Sequence, residues 1–439
     1  MNTCDEFALL IVALVKYHDH DLQNANSRAP FSSLDVFLNA LSEDITARVR
    51  QGSFHQKPYV RLVLRVMEDV LLHSSGQEWQ QRVLGSVASF LNRCKPQNLP
   101  EFVFGWFHIL SHRTFMSKIL SSTDPHYLPT RFRDLLMECF RFLDPFLSTS
   151  EINDSIALLF KGILRTLLVL LHDFPNFLCE NHFVFCQNIP ISCIQMRNLV
   201  LSAFPKDIVL PDAFDPNLKM DQIPKIHLEP KIAQDYLMCL EAVPALQEII
   251  DYCLSLETTD TWQEMCLELA ALFVSSPNQM SNVKNSCKEG FVIQYELDLV
   301  GAMVLYLCQQ TAQLSPRLLQ RRYLFVQTIL LSLDAEGRYH LLNSLCNNLR
   351  FPNSHSLFCS ECVLFLFWNC EEQYKEEILR VLLERLVVHR PHPWGLLVTF
   401  MQLIQHPKYQ FLPFVDMNAC DPEIVEPETG VTLFFVFDV

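Results

Sequence analysis

Glycine is scarce in this sequence, with 10 residues in a chain of 439. Compact β proteins and phosphate-binding loops need glycine because it alone adopts positive φ freely. The loop motifs G-x-x-x-x-G-K-[ST] and G-x-G-x-x-G are absent, and so is the nucleophile motif G-x-S-x-G. These absences favour helices and argue against a nucleotide-binding enzyme or a serine hydrolase.

Basic residues are also few, since 34 Lys and Arg stand against 49 Asp and Glu, giving a net charge of −15. Nucleic-acid binding depends on Lys and Arg that neutralise phosphates, so a broad nucleic-acid surface or binding to anionic membranes is not expected. The longest apolar run, Ile156–Leu171, is interrupted by Lys161 and Arg165. A membrane span needs about 20 nearly uninterrupted apolar residues. We expect a soluble chain in the cytoplasm or nucleus.

Apolar residues make up half of the chain and recur mostly at spacings of three and four. The segment Glu376–Arg390 is typical, because its leucines form one stripe while Glu376, Arg380 and Glu384 lie opposite at i,i+4 spacing. Some sixteen such helices follow one another with short connections. This pattern predicts an all-α protein, a HEAT-like α-solenoid of stacked antiparallel helix pairs, with an irregular helical bundle as the rival.

Two segments differ from the helical pattern. Residues 205–230 contain five prolines but also apolar residues, which predicts an extended segment lying on a helical surface. Residues 431–439 have a strand-like composition. The predicted organisation is an N-terminal helical segment (1–100), a first helical part (101–204), the Pro-rich connector (205–230), a second helical part (231–412) and a divergent tail (413–439).

The segment Leu170–Pro190, LLHDFPNFLCENHFVFCQNIP, concentrates histidines and cysteines. One reading is a zinc site, and another is a metal-binding dyad formed by His172 and Asp173, with His20–Asp21 as a second dyad. However, Cys179, His182 and Cys186 follow one helical face among apolar residues, so we predict buried thiols and a hydrogen-bonded imidazole. The 16 cysteines of the chain mostly lie in apolar helical runs, as free thiols do in a reducing compartment.

Other chemical motifs are weaker. His108 and His112 are four residues apart on one helix, but Ile109 stands where a zincin has its general base. Cys359-x-x-Cys362 has no second pair nearby. The sequence therefore predicts no catalytic residue, no metal site and no cofactor.

Partner-binding residues are predicted in the connector and in two loops that concentrate Asn, Arg, His and Trp, because such residues are enriched at interfaces. The alternative is a packed connector and a rigid helix corner with Trp394 in the core. The candidates are Lys206, Asp207, Leu210, Phe214, Asn353, His355, Arg390, His392 and Trp394.

Three stretches resemble one protein family and keep its order along the chain. They read KGILRTLLVLLHDFPNFLCENHFVFCQNIPISCIQMRNLVLSAFPKDIVLPDAFDPNLK (161–219), LDAEGRYHLLNSLCNNLRFPNSHS (333–356) and ILRVLLERLVVHRPHPWGLLVTFMQLIQHPKYQF (378–411). They are similar to the C-terminal region of the large scaffold subunit of the carbon-catabolite-repression/Not deadenylase complex, the Not-one subunit. The resemblance covers roughly residues 101–424.

The resemblance implies a HEAT-like domain without catalytic activity that docks the heterodimer of Not-two and Not-three type subunits. It also implies binding of peptides from RNA-binding translational repressors in some relatives. The expected role is support of mRNA deadenylation, decay and translational repression, in cytoplasmic decay foci and in the nucleus. A helical trafficking or transport adaptor and a metal-dependent His-Asp phosphohydrolase stay open as alternatives.

The sequence departs from that family in three places. It is far shorter than a full scaffold, which suggests a fragment, an isoform or a truncated relative. Residues 232–290 match loosely, and residues 425–439 diverge from the final helix of the family.

Overall fold

The computed structural model describes residues 3–24, 33–72, 76–122, 127–147, 152–232, 235–256, 258–274, 295–409 and 411. These residues form twenty α-helices, and their one β contact is an isolated bridge between Val274 and Tyr295. The first eight helices are α1 (Thr3–Asn24), α2 (Ser33–Arg50), α3 (Gln56–Leu72), α4 (Gln77–Arg93), α5 (Val103–Leu110), α6 (Arg113–Leu120), α7 (Tyr127–Leu147) and α8 (Asp154–Asp173). The others are α9 (Pro175–Glu180), α10 (His182–Asn188), α11 (Ile194–Leu201), α12 (Asp235–Ala242), α13 (Pro244–Ser255), α14 (Trp262–Leu272), α15 (Leu297–Cys308), α16 (Pro316–Ser332), α17 (Ala335–Cys346), α18 (Ser354–Asn369), α19 (Glu372–Leu386) and α20 (Trp394–Gln405).

Helices that are two positions apart in the chain pack on each other. In the N-terminal part α1 contacts α3, α2 contacts α4 and α3 contacts α5. In the C-terminal part the same relation joins α14 to α16, α15 to α17, α16 to α18 and α18 to α20. This pattern arises when successive helix pairs stack, since each pair buries its apolar face against the next. The predicted all-α fold of stacked helix pairs is confirmed.

The internal contacts divide the chain into two units. Residues 1–169 and 188–192 form the first unit, and residues 170–187 and 193–439 form the second. The predicted boundary at residue 101 falls inside the first unit. The Pro-rich connector falls inside the second unit, and the predicted five-part organisation stays a prediction.

Helix α5 packs closely against its neighbours in the first unit. Trp106 is fully buried, and its indole N–H donates to the carbonyl of Leu91 at 2.7 Å. A Cβ on the preceding Gly105 would lie 2.5 Å from the ring of Phe102 and 2.8 Å from a methyl of Val60. A side chain at residue 105 would therefore push α5 away from α3.

The core of the second unit is formed by apolar helices that carry many of the cysteines. Trp262 of α14 packs edge-on against Phe325 of α16, with ring centroids 5.7 Å apart. Of the thirteen cysteines whose side chains the structure describes, twelve are buried and none forms a disulfide. Burial raises the pKa of the Cys94 and Cys179 thiols to about 12. The prediction that the cysteines act as small apolar residues is confirmed for these twelve.

Three predicted helices are each interrupted in the structure. The helix expected over 101–120 breaks between α5 and α6, where the hydroxyl of Ser111 donates a hydrogen bond to the carbonyl of Phe107 at 2.8 Å. The helix expected over 175–188 breaks at Asn181, whose amide donates to the carbonyl of Phe177 at 2.9 Å. The helix expected over 231–256 breaks before Pro244, which starts α13. Pro244 lacks the N–H that would continue α12, whereas the breaks near Ser111 and Asn181 interrupt a continuing apolar pattern.

The longest apolar helix, α8, is the one helix in the described ranges that is long and apolar enough to span a membrane by length and composition. The core helix of a soluble protein can be equally long and apolar, so length and composition alone do not show that α8 spans a membrane. Ile163, Leu167 and Leu170 of α8 are fully buried. The predicted strand at 431–439 lies outside the described residues.

Replacing Gly395 by alanine should destabilise the second unit. A Cβ at this position would lie 2.8 Å from the backbone carbonyl of Arg350 and 2.8 Å from the carbonyl carbon of Leu349, and backbone atoms cannot rotate away. We expect the free energy of unfolding to fall by about 1–3 kcal/mol in urea denaturation. Gly85→Ala in α4 is the control, because no atom lies within 4 Å of its added Cβ. That substitution should raise stability by about 0.5–1 kcal/mol, and equal effects at the two glycines would contradict the packing argument.

Candidate partner-docking surface

The histidines of the 170–190 segment have opposite environments. His172 lies on the surface, with 89% of its side chain exposed, and its Nδ1 is 2.7 Å from Asp173 Oδ1. His182 is buried and donates from Nδ1 to the carbonyl of Cys179 at 3.1 Å. The predicted buried, hydrogen-bonded imidazole is confirmed for His182. His172 and Asp173, the residues of the predicted dyad alternative, lie at the exposed end of α8.

Cys179, Cys186 and Cys193 are buried as predicted. Burial raises the pKa of Cys186, so its thiol stays protonated near neutral pH. In the residues that the structure describes, no group of three or more His, Cys, Asp or Glu side chains is placed to hold a metal ion. The side chains of His20 and Asp21 lie outside the described residues.

Arg350, His182 and His355 form a buried cluster in this region. The Arg350 guanidinium is fully buried and donates from Nη1 to the carbonyl of Cys179 at 3.1 Å. Burial, together with the nearby guanidinium, lowers the pKa of His182 well below its ordinary value and that of His355 to about 3. Both imidazoles are therefore neutral at physiological pH.

Three of the predicted partner-binding residues are buried and have packing roles. Asn353 caps α18, because its side chain accepts from the backbone N–H groups of His355 and Ser356 at 3.0 and 3.1 Å. His355 lies in the buried cluster just described. Trp394 packs with the apolar residues of the connector, and its indole N–H donates to the carbonyl of Pro211 at 2.8 Å. All three side chains pack within the second unit, Asn353 also borders the groove described below, and partner binding by these three residues stays a prediction.

The other predicted residues reach the surface. Lys206, Asp207 and Phe214 are exposed, and Leu210 is half-buried against the apolar cluster under the connector. Asp207 pairs with Lys225 at 2.8 Å, and this bond lowers the pKa of the carboxyl. In the 390–394 loop Arg390 is exposed, whereas His392 is half-buried and its pKa is lowered by burial and by Arg390. Partner binding by these six residues stays a prediction.

A cavity of about 430 Å³ lies beside the connector, and we call it the connector groove. It is bordered by α9, by the connector and by the 351–353 loop. Its lining is mixed, with apolar, acidic and basic side chains, and includes Ile208, Leu228, Phe351, Glu180, Glu229, Lys225 and Lys231. Such a composition suits an extended peptide, whose backbone and side chains need both kinds of contact.

The sequence reasoning missed two apolar residues near the groove. Val209 is 88% exposed and Leu228, which lines the groove, is 59% exposed. The sequence showed both as apolar residues of a proline-rich segment, but exposure depends on how the connector turns. The positive φ of Lys225 and the bond from Ser354 N–H to the Leu228 carbonyl set that path.

A second cavity, of about 770 Å³, lies in the first unit beside α1, α3 and α5. His108 and His112 line it, with Glu68 Oε1 3.8 Å from His112 Nε2. Burial lowers the pKa of His112. Arg61 and Asp5 close one edge of the cavity with an ion pair of 2.7 Å.

Most of the chain matches one known protein family. The family described as "CCR4-Not complex component, Not1" matches residues 67–426. The chain belongs to the Not1 family. The predicted resemblance is confirmed, and the match includes the connector groove and both loops that carry predicted partner-binding residues.

Relatives in the Not1 family match nearly the whole chain. The "CCR4-NOT transcription complex subunit let-711" of Caenorhabditis elegans is 32% identical over 96% of this chain. The "General negative regulator of transcription subunit 1" is 29% identical in Schizosaccharomyces pombe and 26% identical in Saccharomyces cerevisiae, over 94% and 93% of this chain. The chain spans only 16%, 20% and 19% of the length of these three relatives.

Solved structures of Not1 domains have the same fold. The structure of the "NOT1 superfamily homology domain from Chaetomium thermophilum" has a TM-score of 0.78 at 24% identity, and covers 89% of this chain and 78% of that one. The "Not1 C-terminal domain in complex with Not4" has a TM-score of 0.74 at 22% identity, and covers 92% of this chain and 82% of that one. That second Not1 domain was solved bound to Not4.

Proposed function

We propose that this chain is a non-catalytic docking domain of the CCR4-Not complex, which binds the heterodimer of Not-two and Not-three type subunits. Membership of the Not1 family carries this proposal. Through those subunits the domain supports mRNA deadenylation, mRNA decay and translational repression, in cytoplasmic decay foci and in the nucleus. Peptides of RNA-binding translational repressors and a Not4-type subunit are further candidate partners, the latter because a Not1 domain of the same fold was solved with Not4.

The connector groove is the proposed contact surface. Exposed apolar side chains beside a cavity gain free energy when a partner removes them from water, at roughly 25 cal/mol per Å² of buried apolar area. Val209, Leu228 and Phe214 offer such area on the connector. The exposed Lys206, which lies between the groove-lining residues Pro205 and Asp207, would contact acidic groups of the partner at the rim, where charges set orientation and association rate.

The test is capture of purified Not-two/Not-three heterodimer on the immobilised chain. The double substitution Val209→Glu/Leu228→Glu should weaken binding by about tenfold or more, because it places two charges where apolar area is to be buried. Val387→Glu/Leu158→Glu is the matched control, since these residues are of the same types and are 64% and 61% exposed. The control should bind as the unmodified chain does.

Two results would overturn the proposal. One is failure of the unmodified chain to capture the heterodimer. The other is equal capture by the connector variant and the control, which would leave docking in place and remove the groove as its site. Running the same variants with a purified Not4-type subunit tells whether the two partners share the groove.

A further inference from the structure

The second unit carries a long segment without any positive charge. Between residues 232 and 283 the sequence has eight acidic residues and no Lys, Arg or His. The chain as a whole carries 34 basic residues, so this segment concentrates a large share of the net charge of −15. The described part of the segment forms α12, α13 and α14.

The outward sides of α13 and α14 combine these acids with apolar residues. The inner side of α14 buries Trp262, Cys266 and Leu269, which leaves Glu264, Leu267, Glu268 and Ala271 exposed at i, i+3, i+4 and i+7. Leu267 is 52% exposed. On the neighbouring α13, Ala245, Glu248 and Tyr252 are exposed, whereas Leu246, Ile250 and Cys253 are buried. We call these exposed residues of the two helices the α13–α14 face.

Two arginines of the neighbouring α16 are engaged by backbone carbonyls. Arg321 of α16 donates to the carbonyls of Cys253 and Leu256, and its guanidinium lies 5.2 Å from the ring centre of Trp262. Arg322 donates to the carbonyls of Leu307 and Gln309. Within the described ranges, Glu248, Glu264 and Glu268 form no ion pair. Among the residues that the structure describes, the carboxylates of this face therefore have no basic partner.

Exposed apolar residues interleaved with acids that have no ion pair among the described residues fit a segment of opposite charge. Nucleic acid and anionic membranes would be repelled by the carboxylates. A second copy of this chain would bring the same acidic face against itself, and like charges across an interface oppose association. The complementary occupant is a peptide segment with Lys or Arg on both sides of an apolar stripe.

We propose that the α13–α14 face is a second docking surface, which binds a basic amphipathic helix of a partner protein. The proposal rests on the docking function proposed above and adds the chemistry of a second ligand. Leu267 and Tyr252 provide the apolar contacts. Glu248, Glu264 and Glu268 select for Lys and Arg and make the binding sensitive to salt.

The test uses a synthetic amphipathic peptide with a leucine stripe flanked by lysines, and a peptide of the same composition in scrambled order. Fluorescence anisotropy with the full chain should show the patterned peptide binding at least about tenfold more tightly than the scrambled one. Leu267→Glu should reduce this affinity by about tenfold or more, and Leu158→Glu, which is similarly exposed in the first unit, should leave it unchanged. Glu264→Lys/Glu268→Lys should weaken binding and flatten its salt dependence.

Equal binding of the patterned and scrambled peptides would overturn the proposal, because it would reduce the effect to bulk charge. No binding by the unmodified chain, or no loss in Leu267→Glu while its thermal unfolding is unchanged, would overturn it as well. Heterodimer capture by the same variants separates the two proposals. Leu267→Glu should keep full capture of the Not-two/Not-three heterodimer. The connector variant Val209→Glu/Leu228→Glu should lose capture of the heterodimer but bind the patterned peptide as the unmodified chain does.

Discussion

Trp394→Ala should destabilise the second unit by about 3–5 kcal/mol. The indole is buried at the start of α20 and packs against Ala213, Met220 and Ile226 in the apolar cluster beneath the connector. Its N–H also holds the carbonyl of Pro211. Removing the ring leaves a cavity and frees the connector from the helices. Urea denaturation measures the loss, and hydrogen exchange over residues 211–228 should become much faster than in the unmodified chain.

Two further variants separate the contributions of the ring. Trp394→Phe keeps most of the packing and removes the hydrogen bond to Pro211, so its cost should be smaller, about 1–3 kcal/mol. Trp368→Ala is the control for the loss of a tryptophan, because that ring is 47% exposed on α18. A cost for Trp368→Ala as large as that for Trp394→Ala, or unchanged exchange of the connector in Trp394→Ala, would show that Trp394 does not anchor this segment.

Acidification from pH 7.5 to pH 5 should destabilise the second unit by about 2 kcal/mol through His355 alone. Burial and the nearby Arg350 lower the pKa of His355 to about 3 in the folded state, whereas the unfolded imidazole keeps an ordinary pKa near 6.5. Between these two pH values the unfolded chain binds more protons than the folded chain, so stability falls as pH falls. His182, whose pKa is also lowered, adds a loss of the same sign.

The measurement is the free energy of unfolding against pH for three proteins. His355→Gln removes the titrating group and should flatten the dependence between pH 7.5 and pH 5 by about 2 kcal/mol. His389→Gln is the control, because that imidazole is exposed, and it should keep the dependence of the unmodified chain. An unchanged slope in His355→Gln would show that the buried cluster does not cause the acid sensitivity.

The sequence predicted which segments border the candidate site, but not which of their side chains are exposed there. The prolines of 205–230 and their apolar neighbours predicted an extended segment on a helical surface, and the groove lies beside that segment. The Arg, His and Trp content of the 390–394 loop predicted an interface, whereas the structure buries Trp394 against the connector. Composition cannot tell a binding tryptophan from an anchoring one, since both are large, amphipathic and rich in contacts.

The amino-acid sequence by itself determined the elements whose signals are local. Apolar periodicity located the helices, and the i,i+4 spacing of Arg380 and Glu384 matches their ion pair of 3.0 Å on α19. The placement of the cysteines in apolar runs was enough to predict that they are buried free thiols. The interruptions near Ser111 and Asn181 were missed because the apolar pattern continues across them.

Only the tertiary structure decided which polar side chains are buried. Arg385 is fully buried although it neighbours the exposed charges of α19, because Asn343 and Asn347 of the α17 region supply oxygen atoms to its guanidinium. Arg350 is buried against the carbonyl of Cys179, which is 171 residues away in the chain. The burial of a charged group depends on whether distant segments bring acceptors to it. That information lies in the packing of the helices, because no local spacing specifies a partner so far away.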